Sequence, residues 1–141
     1  MAKFKVTGLE ELQKQMMKLG ANATKAVPLM LEAGAEVLIK AQQQEASQLN
    51  ISGRSKGALA RSIKSTKTKQ SRGISYLEIY PQGVDKSHTK KGVRNEEKGF
   101  RLEFGRSNMS PRPWMSVANE KSNAAVNDAY QRVWEAHNGS G

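Results

Sequence analysis

The sequence predicts an α+β domain: two N-terminal helices, the second long, a small antiparallel β-sheet of three or four strands, and a C-terminal helix packed on one face. Two observations carry this expectation. Apolar residues recur at three- and four-residue spacing before residue 47 and again after residue 113, as helices with one buried side require. Between them the period falls to two, as strands require. The length of 141 residues suits one core, because domains run from about 50 to 250 residues. Residues 1–141 are therefore read as a single domain, with a flexible loop at 81–98 and a frayed C-terminus at 137–141.

The first helix is expected at Thr7-Gly8-Leu9-Glu10, which has the form of a capping box. Leu9, Leu12, Met16 and Leu19 form its apolar stripe, and Gly20 ends it. The long helix is expected from Thr24 to Ser47, with Pro28 near its first turn and Val27, Leu31, Ala35 and Leu38 as its stripe. Gln42-Gln43-Gln44-Glu45 is polar all round, so this end is expected to project into solvent or onto a partner.

After turn residues from Asn50 to Gly57, the segments 62–69 and 73–80 alternate as strands, joined by a hairpin turn at Gln70-Ser71-Arg72-Gly73. Residues 81–98 are rich in Gly, Lys and Glu and are expected to form a long loop. Phe100-Arg101-Leu102-Glu103-Phe104 alternates and reads as a third strand with its three apolar residues on one face. The last helix is expected from Pro113 to Ala136, with Trp114, Val117, Ala118, Ala125, Ala129, Val133 and Trp134 on its apolar side.

The net charge of +10 is concentrated in the middle of the chain. Residues 51–84 hold seven Lys/Arg against one Asp/Glu, whereas residues 107–141 balance at three against three. The positions Arg54, Lys56, Arg61, Lys64, Lys67, Lys69 and Arg72 form a candidate basic interaction face, suited by Coulomb attraction to phosphate or to an acidic protein surface. A solvated face that keeps the protein soluble is the simpler reading of the same residues. The absence of cysteine removes disulfides and thiolate chemistry, and suits a reducing cytoplasm. No stretch approaches the roughly 20 apolar residues that cross a bilayer, so a non-secreted protein without a membrane partner is expected.

Catalytic groupings are missing from the sequence. His88 and His137 stand apart, no zinc spacing occurs, and neither a phosphate-binding glycine loop nor a nucleophile elbow is present. Glu96, Glu97 and Glu103 read as solvated charges, and Trp114, Met115 and Trp134 read as core rather than a ligand box. No enzyme activity and no cofactor are expected.

Three short elements in fixed order are more specific. They are Gly57-Ala58-Leu59-Ala60-Arg61-Ser62-Ile63, Leu102-Glu103-Phe104-Gly105 and Pro111-Arg112-Pro113-Trp114-Met115. In this pattern the chain resembles the tail-completion, or head-tail joining, minor structural proteins encoded among the neck genes of long-tailed bacteriophages and prophages. The likeness runs from about Leu9 to Trp134, with Arg106 where the family usually has a small hydroxyl residue and Trp114 where phenylalanine is commoner. It implies a virion protein of the neck, assembled in the bacterial host cytoplasm. Its implied partners are further copies of itself in a ring, commonly of six subunits, a head connector or adaptor protein, and the tail tube protein, with non-specific contact to passing DNA. Glu103, Phe104, Gly105, Arg112, Pro113 and Trp114 become candidate assembly or fold-anchor residues.

Two other classes compete. A small basic nucleic-acid-binding protein would explain the pI near 10.0, although no zinc finger, helix-turn-helix or aromatic RNA-binding strand pair accompanies the charge. A small basic ribonuclease of the toxin kind would need a useful histidine, for which His88 is the one plausible position.

Overall fold

A computed structural model describes residues 4–5, 21–49, 57–86 and 90–137. The helix expected over residues 7–20 lies outside these, as do Arg54, Lys56, His88 and the last four residues. The described helices are α1 (Ala21–Ser47), α2 (Ala58–Ser62), α3 (Asn95–Phe104) and α4 (Met115–His137). The strands are β1 (Phe4–Lys5), β2 (Ile63–Ser65), β3 (Lys69–Ser71), β4 (Ile74–Tyr76), β5 (Glu78–Pro81), β6 (Val84–Asp85) and β7 (Val93–Arg94). The class is α+β, as the two sequence periods require.

The core lies between α1, α4 and the main sheet. Val27, Met30, Leu31, Ala35 and Leu38 of α1 are buried at the spacing read from the sequence. α4 lies along α1 and contributes Met115, Ala118, Val126, Ala129 and Tyr130. The two helices approach closely at Gly34, where any side chain would overlap the Tyr130 ring. Burial pushes the Tyr130 hydroxyl up to about 12, since the phenolate would lose its hydration there.

β4 and β5 behave as one alternating strand. Ser75, Leu77, Ile79 and Pro81 are buried on the inner face, while Tyr76 and Tyr80 are partly exposed on the other. β5 pairs antiparallel with β1 on one side and β2 on the other, with Phe4 opposite Ile79 and Ser65 opposite Ile79. The β3–β4 pair extends the β2–β5 pair into a long ribbon. At the junction a hydroxyl replaces a strand carbonyl: the Thr66 N–H donates to the Glu78 carbonyl at 2.8 Å, and the Glu78 N–H donates to Thr66 Oγ1 at 3.0 Å. The ribbon tip turns on Arg72 and Gly73, with φ of 53° and 78°, the two positive values a tight hairpin demands.

Three expectations are corrected. Residues 100–104 are not a strand but the end of α3, in which Phe100 and Phe104 lie one turn apart with ring centroids at 4.8 Å, and Leu102 turns inward. Five residues of alternation fit both periods, because positions four apart share a side in a helix and in a strand. Residues 81–98 carry the end of β5, the β6–β7 pair and the first turn of α3 in place of one long loop. The apolar poverty of this stretch is offset by charge pairing: Lys98 Nζ lies 2.6 Å from Asp85 Oδ2, with both side chains largely buried. The glutamine-rich end of α1 does not project, because Gln42 is fully buried and its Nε2 donates to Asn119 Oδ1 of α4 at 2.9 Å.

Candidate functional site

The sequence elements that carried the family resemblance converge at the junction of α3 and α4. Glu103, near the end of α3, is 5% exposed, and its carboxylate serves as the N-terminal cap of α4. The N–H groups of Trp114 and Met115 each donate to Oε2 at 2.8 Å, and that of Ser116 donates to Oε1 at 3.1 Å. A helix start leaves four such donors without intrahelical partners, and a carboxylate there also meets the positive end of the helix dipole. The reading of Glu103 as a solvated charge is therefore corrected.

Trp114 completes the junction. Its indole is 1% exposed, and Nε1 donates to the Gly99 carbonyl of α3 at 3.1 Å. Gly99 suits this contact, since a Cβ would lie a tight 3.0 Å from both the Trp114 ring and the Pro81 side chain. Gly105 then takes φ 76° and ψ −178°, a conformation that essentially only glycine adopts, with its α-carbon pressed toward the Met109 carbonyl. The turn closes through paired backbone hydrogen bonds between Arg106 and Met109, at 2.9 and 3.1 Å. The chain returns as the Arg112 N–H donates to the Leu102 carbonyl at 2.6 Å. Thus Glu103, Gly105 and Trp114 hold two helices in fixed relation, while Arg112 acts through its backbone.

Other members of the predicted set face outward. Phe104 is 53% exposed and Phe100 39%, so α3 presents a pair of aromatic rings at the surface beside the Glu97–Arg101 ion pair of 2.6 Å. Arg112 and Pro113 are exposed. Glu96, read as solvated, is buried and paired with Arg94 at 2.8 Å.

The basic positions divide by place. Arg61 is exposed at the end of α2, and Lys64, Lys67, Lys69 and Arg72 are exposed along the ribbon. The register sets Lys64 opposite Tyr80 and Lys69 opposite Tyr76. Lys69 Nζ is 3.9 Å from Glu78 Oε1, which puts both lysines and both tyrosines on the outer face of the ribbon.

Among the described residues no grouping of His, Asp or Glu could hold a metal ion, and no helix is long and apolar enough to cross a membrane. A cleft between β5 and the β6–β7 pair is lined by Tyr80, Gln82, Val84, Arg94 and Glu96, which supply no nucleophile paired with a base.

Comparison with protein families matches residues 10–101 to the HK97-gp10-like family, described as a bacteriophage HK97 gp10 tail component. The chain belongs to this family. The HK97-gp10-like protein is thus a bacteriophage tail structural protein, a component of the virion that works against other phage structural proteins. No curated protein and no solved structure matches it. The family match takes in the ribbon and most of α3, and ends before the Gly105 turn and α4.

Proposed function

We propose that this HK97-gp10-like protein is a non-enzymatic subunit of the phage neck, one that completes the tail and joins it to the head connector through an oligomeric ring. The observation that carries the reading is the tail-component family match over residues 10–101. The fold suits it. Glu103, Gly105 and Trp114 serve as the anchor that fixes α3 against α4, so that Phe100 and Phe104 stand rigidly at the surface, where a neighbouring protein could bury them. Arg112 and Pro113, exposed at the same junction, belong to that assembly surface.

In this reading residues 1–141 act as one domain, copies meet in a ring of about six, the usual number for such necks, and the other partners are the head connector or adaptor and the tail tube protein. Assembly takes place in the host cytoplasm, and the product is part of the virion.

Sedimentation velocity tests the reading. The subunit is 15.5 kDa, and the chain, alone or mixed with the connector and tail tube proteins of its own phage, is expected to leave the monomer position for a closed assembly that holds about six copies of it. A chain that remains monomeric alone and with both partners would contradict the proposal.

A further inference from the structure

The ribbon and the end of α2 that leads into it carry a run of exposed cations. Arg61, Lys64, Lys67, Lys69 and Arg72 occupy twelve consecutive positions without an intervening acid, and all five are exposed. Glu78 is the acidic residue of the ribbon face, and it is 7% exposed and set against Lys69. Its charge is therefore largely hidden from an approaching partner. The span from Lys64 to Lys69 is five residues of extended ribbon, or roughly 16 Å at about 3.3 Å per residue, and it continues to Arg72 at the tip. Tyr80 and Tyr76 stand directly across the ribbon from Lys64 and Lys69. Cβ atoms of such cross-strand pairs lie about 5 Å apart, so each lysine has an aromatic residue as its neighbour on the same face.

We propose that this basic stretch, Arg61, Lys64, Lys67, Lys69 and Arg72, with Lys64 and Lys69 on the outer face of the ribbon, binds the phosphate backbone of double-stranded DNA without regard to sequence. A row of cations without acids suits a polyanion of regular charge spacing, because each phosphate neutralised releases a condensed counterion. Three of the five cations are lysines, compact point charges on flexible stems, which meet phosphate without the rigid fork that reads a base edge. The binding is a property of the ribbon and does not depend on ring formation. Its failure would leave the neck reading in place.

The test compares three proteins by fluorescence anisotropy: the full chain, the triple variant Lys64→Glu, Lys67→Glu, Arg72→Glu, and the control Lys25→Glu, Lys40→Glu, Arg132→Glu. The control reverses three exposed helix cations and alters net charge equally. Probes are two unrelated 30-base-pair duplexes and a poly-glutamate peptide, each over a salt series. With about four phosphates engaged, log affinity should fall with log salt at a slope of about −3.6, a loss of roughly 100-fold between 50 and 200 mM salt. Both duplexes should bind alike. The ribbon variant should lose most of its affinity and bring the slope near −1, while the control keeps the slope of the unmodified chain. Equal loss in ribbon and control variants would overturn the proposal, since it would trace binding to net charge alone. So would tighter binding of poly-glutamate than of DNA, which would assign the face to an acidic protein, and so would strong preference for one duplex.

Discussion

Trp114→Ala is expected to lower the stability of the fold by about 3–5 kcal/mol, the range for removing a buried aromatic side chain. The indole is 1% exposed, and the space it leaves lies between α3, Pro81 of β5 and the start of α4. The space is bounded by Leu59, Pro81 and the helical backbone at Gly99, and such walls relax only partly into a void. Truncation also strips the Gly99 carbonyl of its donor. Trp114→Phe keeps a six-membered ring but loses the Nε1 bond and the pyrrole volume, so it should cost less than Trp114→Ala, about 2 kcal/mol. Urea denaturation at constant slope reads both variants as shifts of midpoint. An unchanged midpoint for Trp114→Ala would show that the indole does not hold the junction.

The second large effect is expected at Glu103. Glu103→Ala leaves the amides of Trp114, Met115 and Ser116 without an acceptor at a largely buried helix start, and should cost about 3 kcal/mol. Glu103→Gln keeps one amide oxygen that can accept from Trp114 and Met115, and loses the charge, so about 1 kcal/mol is expected. Hydrogen exchange separates a capping role from general destabilisation. Amides 114–116 should exchange faster in Glu103→Gln, while those in the middle of α1 keep their protection. Uniform acceleration through α1 and α4 would deny Glu103 a local capping role.

Much of the fold was legible because buried faces impose a period on the chain. The buried set Val27, Leu31, Ala35 and Leu38 of α1 was written at helical spacing, and Ser75, Leu77 and Ile79 at strand spacing. The hairpin at Arg72-Gly73 was legible from turn chemistry. The misread strand at 100–104 was too short for its period to be unique, and the tilted ring pair of Phe100 and Phe104, one helical turn apart, supplied the alternation. Among the described residues of 81–98, β6 is tied to α3 by an ion pair between Asp85 and Lys98, thirteen positions apart, which composition does not reveal.

The anchor was half legible. Its residues were marked by the motifs Leu102-Glu103-Phe104-Gly105 and Pro111-Arg112-Pro113-Trp114, but Glu103 was read as solvated because the amides that donate to it lie eleven to thirteen positions ahead. One signal did point to it. The residue before Met115 is Trp114, which cannot cap a helix, so α4 needed an acceptor from elsewhere in the chain.

The neck assignment is tested most directly by electron microscopy of particles made when the gene for this chain is deleted from its phage. The account predicts DNA-filled heads and separate tails in the same lysate, with joining restored when the unmodified chain is supplied from a plasmid. Glu103→Ala should fail to restore it at temperatures where the variant is unfolded. Normal, fully joined and infectious particles in the absence of the protein would contradict the account.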